Sequence, residues 1–196
     1  MAERLVGDHI ELRALRPEDA ERTLAWRQSP RARWLNAGAQ TVGEQRAWIA
    51  SRPDSERNYI IELKDGRAVG MLSLIGIDPV HRHAETARFL IGDEDAVRGV
   101  PAAVESMKLL YDHAFGELGL NRLYGLVPEG NRRSITWQCY LGMREEGRLR
   151  RHLFFDGVWQ DAVCLGMLED EYREIAAPRM TTLIAAARST TKETIS

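Results

Sequence analysis

With two cysteines in 196 residues, Cys139 and Cys164, the chain has no disulfide framework and suits a reducing compartment. It lacks a charge excess as well. A formal net charge of -2 gives no basic field for nucleic acid, so any phosphate-bearing ligand must be held locally. Long apolar runs are missing: no window approaches a membrane span, and the residues after Met1 form no apolar leader core. The cytoplasm is therefore the expected compartment, with no membrane partner. Repeats and low-complexity domains are also lacking. What is present is ordinary, 44% hydrophobic and 29% charged residues, enough for the core of one α/β or α+β domain.

Local patterns then divide the chain. His9 to Leu15 alternates polar and apolar residues as a half-buried strand does. Pro17, Glu18 and Asp19 open a helix that runs to about Gln28, and Thr41 with Glu44 forms a capping box for a second helix. Asp65-Gly66 joins two strands, Tyr59 to Leu63 and Ala68 to Leu74, as a hairpin turn. Ala87 to Ile91 reads as a strand. A helix is expected from Pro101 to about Phe115, with Met107, Leu110 and Ala114 on one face. Arg122 to Val127 is the next strand, and Asn131 caps a helix that stops at Gly142. Asp156-Gly157 makes a closing hairpin that continues through Ala162 to Leu165. From about Pro178 the chain is small, polar and Thr-rich, which predicts a frayed or peripheral tail. The order predicts a mixed sheet with helices on both faces.

The most informative stretch runs from Ile91 through Arg98, Gly99, Val100 and Pro101 to Ala103, where a strand ends, a glycine loop follows and a helix begins. Free N–H groups at a helix start, aided by the dipole, can hold a pyrophosphate; a tight turn alone would give the same pattern. This stretch resembles the Arg/Gln-x-x-Gly-x-Gly/Ala motif of the GNAT acetyltransferases, above all their RimJ/RimL-like branch. Arg98 fills its first position, Ala103 its last, and Glu105 matches an acid common on the following helix. Val127 to Ile135, with Asn131 and Ser134, resembles the family's V-x-x-x-N-x-x-S-I segment, and Leu141-Gly142-Met143 stands where the family has Leu-Gly-Phe. Glu146-Gly147 to Arg150 and Asp156-Gly157 to Asp161 match late signatures of the branch. The resemblance spans residues 8–172 and leaves 173–196 as a peripheral or flexible extension.

The resemblance implies an α/β fold with a mostly antiparallel central sheet flanked by helices, and acetyl-CoA as co-substrate without a metal. It implies that backbone amides from Arg98 through Gly99, Val100, Ala102 and Ala103 hold the coenzyme A pyrophosphate. Leu90 and Ile91 would pair with the pantetheine arm, and Asn131 would hydrogen-bond near it. Two departures stand out. Pro101 replaces the usual glycine and has no N–H to give, and Gln138 stands where many relatives place a thiolate-protonating tyrosine. Tyr140 lies roughly 200° around the helix from that position, so Ser134 is the better acid candidate, unless it only bonds its own first turn.

For the base, His81, His83 and Glu85 share one face of an extended segment. They could bind a metal or relay a proton through water, but the ligands are too few for a metal site, which leaves Glu85 or His83 as the base. Trp26, Arg27, Trp34 and Trp48 crowd the first two helices and their connection, the region that forms much of the acceptor pocket in this superfamily. Rings at helical spacing also suit a core. An aromatic wall with a guanidinium suits a ring-bearing or anionic acceptor, an aminosugar nucleotide included. The implied activity is acetyl transfer to the primary amine of a small molecule, by a monomer or homodimer. The alternatives are a protein Nα-acetyltransferase, a transferase using another acyl donor, and a module that only binds acyl-CoA.

Overall fold

The computed structural model describes residues 4–36 and 38–193. Their strands are β1 (Arg4–Val6), β2 (Ile10–Ala14), β3 (Arg57–Leu63), β4 (Ala68–Asp78), β5 (His83–Ile91), β6 (Arg122–Pro128), β7 (Arg144–Phe155) and β8 (Val158–Leu168). They form one eight-stranded sheet in the order β1-β2-β3-β4-β5-β6-β8-β7. Every neighbouring pair is antiparallel except β5 and β6. The helices are α1 (Ala20–Arg27), α2 (Val42–Ala50), α3 (Ala102–Asp112) and α4 (Arg132–Tyr140). A last pair, α5 (Glu169–Glu171) and α6 (Ala177–Glu193), is joined by a π turn. No helix among the described residues is long and apolar enough to cross a membrane.

The expected hairpins form at Asp65-Gly66 and Asp156-Gly157, and the capping box closes, Thr41 Oγ1 accepting from the Glu44 amide at 3.2 Å. Two cores sandwich the sheet. The larger holds Met107, Leu110 and Tyr111 of α3, Ile135 of α4 and Met180 of α6; the smaller holds Ala32, Ile60, Met71 and Leu90 beneath Trp26. β3 buries residues on both faces from Tyr59 to Leu63, as a central strand must.

Three elements differ from the sequence-based expectation. β1 was not expected; it exists only by pairing with β2. The strand β7 reaches back to Arg144 through a stretch whose residues are exposed on both faces, so no periodicity marks it. Beyond residue 172 the chain is not a frayed tail but helical to Glu193, because Tyr172, Ala176, Met180 and Ile184 recur every fourth residue and bury one stripe. Residues 194–196 of the expected extension, like Ala37 in the expected Trp34 loop, lie outside the described residues.

Candidate active site

Where β5 and β6 pair, they do so only at their N-terminal ends, His83 opposite Arg122, Ala84 opposite Leu123 and Glu85 opposite Tyr124. Beyond Glu85, β5 continues to Ile91 without β6, and β6 continues to Pro128 along β8. The sheet therefore opens into a wedge whose two strand edges lack each other's hydrogen bonds. Such edges can accept a further extended segment. Ala84, Phe89 and Ile91 of β5 belong to the α3–α4 side, and Leu90 to the α1 side. The wedge thus connects the two faces of the sheet.

On the α3 face, Gly99 takes φ 75°, a left-handed conformation that turns the chain into the helix. Pro101 stands one residue before the first turn, as the N-cap, and its carbonyl accepts the Glu105 amide at 2.9 Å. The amides of Ala102, Ala103 and Val104 therefore precede the helix's own ladder and are available to an anion. The missing N–H of Pro101 costs none of these. The Arg98 side chain pairs with Asp95 at 2.8 Å, both largely exposed. Glu105 is committed elsewhere: buried, it accepts the amides of Asp8 and His9 and so ties α3 to the β1–β2 turn. Leu90 and Ile91 end β5 at the wedge, and Arg31 Nε donates to the Ile91 carbonyl at 3.0 Å.

Across the wedge, Asn131 Oδ1 accepts from the Ser134 amide at 3.3 Å as the N-cap of α4, leaving its amide nitrogen unused by that cap. Gln138, a departure when judged against tyrosine, donates from Nε2 to Ser134 Oγ at 3.0 Å. Because that lone pair is taken, the hydroxyl proton of Ser134 is directed elsewhere. Phe89 of β5 and Trp137 of α4 stack at 5.2 Å, flanking the wedge. Neither ring stood out in the sequence, where nothing local ties one to the other.

On the α1 face, Glu85 sits at the last residue pair before the strands part. Burial raises its pKa above the usual carboxylate range, against the opposing pull of Arg88 and the Leu126 amide. His83 lies edge-on to Tyr124 at 5.8 Å and stacks on His81 at 6.2 Å; its Nδ1 is buried without a hydrogen-bond partner. No cluster of potential metal ligands occurs among the described residues.

The four residues expected to line an acceptor pocket are not equivalent. Trp26 packs into the smaller core and lies against Gly92. Trp34 reaches across to the β6–α4 connection, where a side chain on Gly130 would meet its ring at 2.6 Å, and it contacts Phe155 edge-on at 6.1 Å. Trp48 lies between two guanidiniums, Arg52 at 4.2 Å and Arg88 at 5.0 Å. Arg27 is half-buried and donates to the Asn36 carbonyl at 2.6 Å. Sequence patterns missed Arg88. Its positive φ of 56° lies in a bulge between β4 and β5, which turns the side chain toward α2.

Comparison with known proteins adds the following. The family model for acetyltransferase (GNAT) domains matches residues 9–144. The chain is 32% identical over 177 residues to YdaF of Bacillus subtilis (strain 168), provisionally named a ribosomal N-acetyltransferase, covering 85% of this chain and 95% of that protein. It is also 32% identical over 118 residues to the spermidine N(1)-acetyltransferase of Escherichia coli (strain K12), a match spanning 60% of this chain and 61% of the relative. Among solved structures, an acetyltransferase from T. thermophilus superposes with a TM-score of 0.77 at 26% identity, over 94% of this chain and 98% of that one. The spermidine N-acetyltransferase of Vibrio cholerae, solved with CoA and spermine, superposes with a TM-score of 0.75 at 23% identity, over 86% and 100% of the two chains.

Proposed function

Since the chain belongs to the GNAT acetyltransferase family and is an acyltransferase, we propose that it moves an acetyl group from acetyl-CoA to the primary amine of a small molecule, by direct attack in a ternary complex. The observation that carries this reading is the wedge between β5 and β6. It has free helix-start amides on the α3 face and a partly desolvated carboxylate, Glu85, on the other. In this reading the amides of Gly99 and Ala102 to Val104 hold the pyrophosphate, and the open edge of β5 near Leu90 and Ile91 pairs with the pantetheine amides.

Glu85 removes the proton from the attacking ammonium, through a water where it does not reach directly. The amine nitrogen then bonds the acetyl carbon as the carbon–sulfur bond breaks. The Ser134 hydroxyl, held by Gln138, donates its proton to the departing sulfur. Because thiolates leave well unaided, Ser134→Ala should lower kcat by about tenfold, short of the ~10²–10⁴ of a full general acid. Acetyl-CoA affinity should stay within about twofold of wild type. Gln138→Leu should lower kcat in the same direction and by less. Unchanged kcat in both variants would leave Ser134 as a helix-start residue.

A small acceptor is favoured because Trp34 spans from the α1–α2 connection to Gly130 and Phe155, which narrows the acceptor side. The name of YdaF favours the rival, acetylation of a protein N-terminus. The two part in a thiol-release assay with acetyl-CoA over amino sugars, amino acids, polyamines and a peptide with a free N-terminus. Turnover with a small amine at least about tenfold above the peptide is expected. Turnover with the peptide alone would replace this reading with the rival, and turnover with no amine would remove it.

A further inference from the structure

Three guanidiniums crowd the α1–α2 face beside Glu85, and the carboxylates there do not balance them. Arg88 donates to Glu56 Oε2 at 2.8 Å and to Asn58 Oδ1 at 2.9 Å. Arg52 approaches the same carboxylate at 3.6 Å. Glu56 thus serves two cations at once, and Asn58 Nδ2 donates to it as well. Arg27 has no carboxylate partner among the described residues. One of its five donors is spent on the Asn36 carbonyl, and Gly38 lies flat against the guanidinium. Burial and the nearby charge of Arg88 both lower the Arg27 pKa, the mark of a cation held where it is not compensated. Glu85, the remaining carboxylate near Arg88, is pushed by burial toward its neutral form.

A half-buried, unpaired guanidinium beside a second cation is costly, and a planar fork with unused donors fits an oxyanion. We propose that Arg27 and Arg88 form an anion subsite that receives a phosphate or carboxylate carried by the amine acceptor, with the Trp48 ring as the surface beside it. This rests on the acceptor lying on the α1–α2 face, as the proposed function has it. It divides the chain from the relatives named for spermidine, because a polycation would meet like charge here.

Calorimetry with inorganic pyrophosphate, on the CoA-saturated protein and on the free protein, tests the subsite without needing turnover. The CoA-saturated wild type is expected to bind, Arg27→Gln to bind at least about tenfold more weakly, and Arg27→Lys to fall between. Arg27→Gln should melt no lower than wild type, since it relieves repulsion from Arg88; a large drop would make Arg27 structural and overturn the proposal. Equal pyrophosphate binding by wild type and Arg27→Gln, or none by either, would overturn it as well. Paired acceptors then identify the anion: glucosamine against glucosamine 6-phosphate for a phosphate, phenethylamine against phenylalanine for a carboxylate. The charged member of at least one pair should have the lower KM, and Arg27→Gln should erase that preference. Spermidine as the preferred acceptor would contradict the subsite. Failure of every amine to be acetylated would instead count against the proposed function, with the calorimetry still deciding the subsite.

Discussion

Replacing Glu85 with glutamine is expected to lower kcat/KM by about 10²-fold at neutral pH, at the lower end of what a positioned general base supplies. Its place explains the size. Glu85 is the last residue of β5 paired with β6, so its backbone is fixed by the sheet while its side chain faces the wedge. Burial favours the protonated form, so its pKa lies above the ordinary carboxylate value. The base works only when ionised, so wild-type activity should rise with pH through that raised pKa and then level off. The Glu85→Gln profile should lack this limb and climb instead toward the amine's own pKa, near ~10 for an alkylamine. The gap between the two enzymes should therefore shrink in alkali. An unchanged acid limb in Glu85→Gln would transfer the role to His83, whose buried Nδ1 has no partner.

The largest loss of stability is expected at the other end of the sheet. Arg13 Nη1 and Nη2 grip Asp19 at 2.6 and 2.7 Å, and Arg13 Nε donates to Glu62 at 2.6 Å. The side chains are 12%, 5% and 11% exposed, so solvent does little to screen them. Arg13→Met leaves two carboxylates buried against a truncated partner and should cost about 3 kcal/mol, the low end for breaking a buried pair. The low end applies because the Arg16 amide still reaches Asp19 at 3.0 Å and Arg4 still reaches Glu62 at 3.2 Å. For Asp19, burial pushes the pKa up and the hydrogen bonds from Arg13 and Arg16 more than reverse it, leaving it below the ordinary value. A depressed carboxylate stabilises the fold above its unfolded pKa and loses that contribution as pH falls through the folded one. The difference between wild type and Arg13→Met in urea melts should therefore be full near neutrality and shrink below about pH 4. A difference that persists undiminished in acid would assign the loss to packing instead of charge.

Turn and cap chemistry made most of the fold legible in advance. Asp65-Gly66, Asp156-Gly157 and the Thr41–Glu44 box act through local backbone rules, and each forms as expected. The elements that escaped depend on partners far along the chain. β1 needs β2, and the N-terminal half of β7 is an edge exposed on both faces, so neither carries a pattern of its own. The stripe Tyr172, Ala176, Met180 and Ile184 was present in the sequence but sits among threonines and Pro178, which outweigh it in a local reading. In the site, the strand–Gly99–helix junction and the Asn131 cap were visible because they are contiguous. Arg88 was not, because a bulge that re-aims one side chain leaves no mark in strand periodicity. Gln138 stood out only as a missing tyrosine, and its bond to Ser134 required the helix to exist.

The central claim is that coenzyme A enters the wedge from the α3 face and lies along β5. Amide hydrogen exchange with and without acetyl-CoA tests it most directly. The account predicts that acetyl-CoA slows exchange in the segment from Gly99 to Val104 and along the end of β5 from Phe89 to Ile91. The edge strand β7, on the far side of β8, should keep its rate. Protection absent from both of those segments at saturating acetyl-CoA, or confined to β7, would contradict it.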